Sequence, residues 1–235
     1  MNTFDLAIIT YINQFSQHIP VLDRIIVFLS NFNLFKGGVF AVMIWWTWFR
    51  NEPQQSKKRE FIISTLVSCI IAIAIARVLA LTLPFRLRPL HEESLHFLIP
   101  HGMPPYSLDG WSSFPSDHAA LYFALATGFL FISRKAGAFA LLYTTLIICF
   151  PRIYLGLHYP TDILAGAILG ILTSLLSNRY LFKITFVRPI LSWLYSKPEI
   201  FYPLFFLFTY QLTELFDSLR ELLSKGYQLF QIIFS

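Results

Sequence analysis

Hydrophobic positions fall in long blocks along this chain, separated by short polar or proline-rich breaks, and the blocks predict helices. Residues 4–15 are apolar at near-helical spacing, interrupted by Asn13 and closed by the break Ser16-Gln17-His18-Ile19-Pro20. They predict a short helix that spans partly or lies at an interface. Residues 21–32 mix Asp23, Arg24 and Asn31 with aliphatics, with Asn33 just beyond, which suits a second short interfacial or re-entrant helix. Residues 34–49, with Trp45, Trp46 and Trp48 near one end, predict a spanning helix ending in an interfacial aromatic belt. Residues 61–84 form the clearest span, with one charge at Arg77 and a stop at Pro84. A long loop, 85–115, is punctuated by Pro89, Pro100, Gly102, Pro104, Pro105 and Gly110. Loops of that length in compact folds are usually functional or disordered. Residues 119–133, 136–150 and 163–177 then predict three further crossings, the first two short enough to need flanking residues.

Past Arg188 come Pro189, Pro198 and the aromatic run 201–210, expected to face lipid. From Gln211 onward Leu212, Leu215, Phe216, Leu219, Leu222 and Leu223 recur at helical spacing among charges, an amphipathic tail. The pattern therefore predicts an all-α polytopic integral membrane bundle with about six membrane helices. Its short N-terminal helices are interfacial and its C-terminal tail amphipathic. It divides into a membrane core, 1–182, and a membrane-associated helical extension, 183–235.

Composition agrees. With 56% hydrophobic and 13% charged residues the chain is too apolar for an ordinary soluble domain. The net charge of +5 does not mark a nucleic-acid partner, because Lys and Arg lie in short interhelical segments rather than on one basic face. The partner is the bilayer, and nothing in the sequence names a protein partner. Lys57/Lys58/Arg59, Arg134/Lys135 and Arg179/Lys183 fall on one side if each segment spans once, so the positive-inside rule puts them in the cytoplasm. The loop 85–115 and the stretch 152–162 then share the extracytoplasmic side of a bacterial inner membrane. The first residues lack a basic region and cleavage site, so no removable signal peptide is expected. Cys69 and Cys149 are not expected to pair.

The two extracytoplasmic stretches carry the candidate chemistry. Holding a phosphate takes cations and amide donors, and transferring it takes an oriented nucleophile and a proton donor. Arg88 and Arg152 can clamp phosphate oxygens, and Ser116 stands where a helix should begin, a natural anion site. His158 and Asp162 are four apart, with Pro160 opening a helix between them, so Asp162 is expected to accept from one imidazole nitrogen and free the other for attack. His118 would be the proton donor. Arg86 and Arg88 are two apart in a stretch expected to be extended, and are predicted to point the same way, toward two phosphates of one substrate. Arg77 has a plainer reading as the partner of a carboxylate in the bundle. His91, His96 and His101 with Glu92, Glu93 and Asp109 match no metal-ligand spacing, and are read as solvated loop residues; neither metal nor cofactor is expected.

Three motifs in order, Arg88-Pro89, Pro115-Ser116-Asp117-His118 and Arg152-x5-His158-x3-Asp162, resemble those of the type 2 phosphatidic acid phosphatase superfamily. Asp117 in place of Gly and the ending His158-Tyr-Pro-Thr-Asp162 are similar to its bacterial undecaprenyl-diphosphatase branch. The resemblance implies a six-helix core and a metal-independent phosphatase working through a phosphohistidine. It implies catalytic roles for His158, Asp162 and His118, and phosphate contacts from Arg88, Arg152, Ser116, Asp117 and Arg86. Two positions depart from the pattern: Leu81 stands where the first motif opens with Lys, and Pro151 where the third has Ser. Arg86 or Arg77 is expected to replace the Lys. The expected reaction is hydrolysis of undecaprenyl diphosphate to the monophosphate. Phosphatidic acid or phosphatidylglycerol phosphate hydrolysis, or lipid transport on the same fold, are the alternatives.

Overall fold

A computed structural model describes residues 2–181 and 187–215. The N-terminal helices are α1 (Thr3–Asn13) and α2 (Pro20–Asn31), followed by α3 (Leu34–Phe49) and α4 (Gln55–Thr82). After the long loop come α5 (Asp117–Ile132), α6 (Arg134–Tyr154) and α7 (Pro160–Arg179), then α8 (Arg188–Ser196) and α9 (Pro198–Thr213).

The expectation of about six spans is corrected. Among the described residues three helices, α4, α6 and α7, are long and apolar enough to cross a membrane, or four if α2 and α3 make one broken span. Two causes reduce the number. The polar pair Asn31 and Asn33 divides the second apolar block, and α2 and α3 meet at 66°. Helix α5 is fixed at 16 residues by serine caps at both ends, Ser116 before it and Ser133 after it. At about 1.5 Å per residue that is about 24 Å, short of the ~30 Å hydrocarbon core.

Helix α5 is nevertheless the centre of the bundle, with Ala119, Ala120, Leu121, Ala124 and Leu125 fully buried between α4, α6 and α7. Its alanines let α7 come close. On α7, Gly166 lies against the Ser116 carbonyl and Gly170 against that of Ala120, so that a β-carbon at either would overlap backbone. This tight α5–α7 seam keeps the N-terminal ends of both helices side by side, and Ser116 N–H donates to the Asp162 carbonyl at 3.1 Å.

The C-terminal helices fold back on α3. Phe201 and Phe205 are buried and pack on Trp48, with ring centroids 5.5 and 4.5 Å away. The aromatic run is therefore split: these two rings face protein, while Phe206 and Leu207 are exposed. The Trp belt is split too, with Trp48 enclosed and Trp46 exposed. The amphipathic tail beyond Leu215 and Lys183 lie outside the described residues. Cys69 and Cys149 are both buried and free.

Replacing Gly170 with Ala should force α5 and α7 apart. The expected cost is about 1–3 kcal/mol, as for other overpacked sites, read as a lower melting temperature of the protein purified in detergent.

Candidate active site

The long loop is pinned to the N-terminal helices before it reaches the site. Asn13 exchanges two 2.8 Å hydrogen bonds with the backbone of Leu98. Asp23 accepts from the N–H of His101 at 2.9 Å and from Tyr154 Oη at 2.5 Å. On the other side of the site, Arg152 lies in the last turn of α6, where the ladder widens to π-type hydrogen bonding over Thr144–Cys149 just ahead of Pro151, a residue with no N–H to offer. The Arg152 carbonyl accepts from the N–H groups of Leu157 and His158. That turn requires Gly156, whose φ is +67° and whose missing β-carbon would lie 2.7 Å from the Phe97 ring.

His158 is nearly enclosed. Its Nδ1 lies 2.8 Å from the Ser113 carbonyl, which can only accept, so Nδ1 carries the proton. The other nitrogen, Nε2, is 3.5 Å from Arg88 Nη1, which can only donate, so its lone pair points at that guanidinium. Asp162 stands 3.7 Å from Nδ1. The expected hydrogen bond from His158 to Asp162 is thus replaced by one to a backbone carbonyl, with the carboxylate acting through space. Burial lowers the His158 pKa from its ordinary value; the nearby Asp162 works the other way, and Arg88 adds to the lowering. The imidazole is held neutral with one nitrogen available.

Arg88 is equally fixed. Its guanidinium donates to the carbonyls of Trp111, Leu157 and Ser112 at 3.2, 2.5 and 3.2 Å. Burial, with Arg152 adding to it, brings its pKa down to about 10, so it stays charged at neutral pH. Arg152 Nη2 reaches His118 Nε2 at 2.6 Å, which makes that ring nitrogen an acceptor and leaves the His118 proton on Nδ1. Arg88, His118, Arg152 and His158 line one cavity of about 870 Å³, together with Arg77 and Asp117. Four segments distant in sequence therefore place two imidazoles and three guanidiniums around a space large enough for a phosphate ester.

Residues 61–186 match the PAP2 superfamily, more than half of the chain, from within α4 to just beyond α7. The chain belongs to the PAP2 superfamily. It is 30% identical over 169 residues to undecaprenyl-diphosphatase BcrC of Bacillus subtilis, covering 72% of this chain and 80% of that one. It is 28% identical over 191 residues to the bacitracin transport permease protein BcrC of Bacillus licheniformis, covering 80% and 86%. The crystal structure of Aquifex aeolicus LpxE superposes with a TM-score of 0.51 at 25% identity, over 77% of this chain and 100% of that one. The protein is thus a membrane phosphatase of the PAP2 type.

Three residues expected at the phosphate do something else. Ser116 is fully buried, and its hydroxyl caps α5 by accepting from the Ala119 N–H. Asp117 does line the cavity, but as the ion-pair partner of Arg77, whose guanidinium also lies 4.7 Å from the centre of the Trp111 ring. Arg77 therefore pairs with a carboxylate, as its plainer reading expected, and lines the cavity as well.

Arg86 turns away altogether. It donates to Asp162 Oδ1 at 2.5 Å, to Asp5 Oδ2 at 2.6 Å and to Thr161 Oγ1 at 2.9 Å, and lies over the Tyr159 ring. Residues two apart share a side only in a flat strand. Here Leu83 and Arg88 have polyproline geometry, with ψ of 159° and 152°. Arg86 reaches Asp5 and Asp162 while Arg88 reaches the carbonyls of Trp111, Ser112 and Leu157, so the two side chains leave the chain in different directions. Asp5 is the residue whose part the sequence does not reveal. It is fully buried and also accepts from Thr161 N–H and Oγ1 at 2.9 and 2.6 Å.

Arg86→Ala would leave Asp5 and Asp162 as buried, uncompensated carboxylates. It should destabilise the protein by about 3–5 kcal/mol, seen as a lower melting temperature, and should lower the hydrolysis of lipid monophosphates and diphosphates alike.

Proposed function

We propose that this PAP2 phosphatase hydrolyses undecaprenyl diphosphate to undecaprenyl phosphate and inorganic phosphate through a phosphohistidine on His158. The observation that carries the reading is the fixed, neutral imidazole of His158, with its Nε2 lone pair beside Arg88 and its Nδ1 proton bound to Ser113 O. Arg88 and Arg152 would hold the terminal phosphate so that phosphorus meets Nε2, a placement that converts attack into a step within one complex. Asp162 would stabilise the imidazole as it gains positive charge. His118, taking up a second proton on Nε2 as Arg152 turns to the phosphate, would give a proton to the leaving oxygen and then take one from the water that releases phosphate.

Preference for a polyprenyl diphosphate is supported by the likeness to the Bacillus subtilis diphosphatase, and by a cavity lined with more cations than one phosphate needs. An extracytoplasmic site in the inner membrane is supported by charge placement. The basic groups at Lys57–Arg59 and Arg134/Lys135 lie at the starts of α4 and α6, and Arg179 at the end of α7, at the ends of those helices away from the site.

Phosphate release from a panel of purified lipid phosphates and diphosphates, with EDTA present, tests the activity. His158→Ala should abolish release and Asp162→Asn should reduce it less; near-normal turnover in His158→Ala would end the covalent mechanism. A purified wild type that binds these lipids without releasing phosphate would favour the transport reading instead. For orientation, a Ser107→Cys protein in intact cells should react with a membrane-impermeant thiol reagent and a Ser56→Cys protein should not. The reverse pattern would place the site in the cytoplasm.

A further inference from the structure

With Arg86 committed to Asp5 and Asp162, a diphosphate needs another cation for its lipid-side phosphate. The bend between α2 and α3 offers one. Ser30, Asn31, Asn33 and Lys36 line the same cavity as Arg88, His118, Arg152 and His158. Irregular backbone at membrane depth is tolerated where it lines a cavity, and an ionisable side chain there is a functional group by default. Lys36 sits in the π-type turn Leu34–Gly38 that opens α3, next to the break.

Two further observations mark this wall. Ser30 is 2% exposed, yet its hydroxyl makes no hydrogen bond among the described residues. A buried hydroxyl left so costs about 1–3 kcal/mol, a cost that a bound polar group would relieve. The Ser30 carbonyl also accepts from Arg152 Nη2 at 3.5 Å, and the same nitrogen contacts His118 Nε2 at 2.6 Å. The bend therefore borders the residue proposed to serve the leaving oxygen.

We propose that the α2–α3 bend is a second phosphate subsite, in which Lys36, with Ser30, Asn31 and Asn33, holds the lipid-side phosphate of a prenyl diphosphate. This rests on the reading of His158 as nucleophile. As the His158 Nε2–phosphorus bond forms, the bond from that phosphorus to the bridging oxygen breaks and its electron pair stays on the departing lipid phosphate. Negative charge develops on the departing group before His118 protonates its oxygen, and Lys36 is the cation that meets that charge. Water then cleaves the nitrogen–phosphorus bond, regenerating His158 and releasing inorganic phosphate. A lipid monophosphate leaves as an alcohol and makes no demand on Lys36.

The test compares phosphate release from farnesyl diphosphate and farnesyl phosphate by wild type, Lys36→Ala, Lys36→Gln and Lys36→Arg, all purified in detergent. Lys36→Ala and Lys36→Gln should lose about ten- to hundredfold in kcat/KM on the diphosphate, as for a lost charged hydrogen bond, with the monophosphate little changed and Lys36→Arg largely retained. Where the monophosphate is too slow to compare, competitive inhibition by methylenediphosphonate should weaken in the variants while that by inorganic phosphate holds. Equal losses on both substrates in a variant that melts like wild type, or no loss on the diphosphate, would overturn the subsite. His158→Ala in the same assay keeps the two ideas apart: turnover there removes the nucleophile, whereas an inactive His158→Ala beside an unselective Lys36→Gln removes the subsite alone.

Discussion

One guanidinium shared between two fully buried carboxylates sets the geometry of this site. Arg86 joins Asp5 of α1 to Asp162 of α7, and both acids are sealed from water. Neither carboxylate is tolerable in that place alone, so the three segments must meet, and where they meet Asp162 is held behind His158. Its second oxygen accepts from the Tyr159 N–H at 2.8 Å, which fixes the start of α7 and the direction in which His158 leaves the turn. The α5–α7 seam and the Ser116–Asp162 backbone bond then bring His118 to the other side of the cavity.

The electrostatic division is consistent with phosphate chemistry. Lys36, Arg77, Arg88 and Arg152 line the cavity, whereas Asp5 and Asp162 are buried outside its lining. Asp117 is the carboxylate that faces the cavity among its described lining residues, and it is bound to Arg77. Backbone carbonyls do much of the positioning. Three of them hold Arg88 and one holds His158, so these side chains are ordered by the loops themselves and require few other side chains. The long loop is in turn pinned to Asn13 and Asp23 of the two short helices that precede the part matched to PAP2.

Much of this was legible in the sequence. The long apolar blocks became α4, α6 and α7 because length and hydropathy suffice for that, and the two His motifs met because the helices between them run back and forth through one layer. The residues that were misread or unread depend on facts that no local pattern carries. Arg86 looked like a partner of Arg88 because a period of two was assumed for a stretch in which the two side chains part, one to Asp5 and Asp162 and the other to backbone carbonyls. Asp5 finds Arg86 across 81 positions, a pairing visible only in three dimensions. Asn31 and Asn33 suited a short interfacial or re-entrant helix, but nothing in the chain said that its end, and Lys36 within the block 34–49, line the cavity.

The central claim is that the phosphoryl group passes through His158. Its most direct test is to mix enzyme and lipid diphosphate briefly, quench in alkali, where phosphohistidine survives, and map the modified peptide by mass spectrometry. The account predicts one phosphoryl group on the peptide bearing His158, absent when His158→Ala is treated in the same way. Turnover with no covalent phosphate at any time, or phosphate on His118 instead, would contradict it.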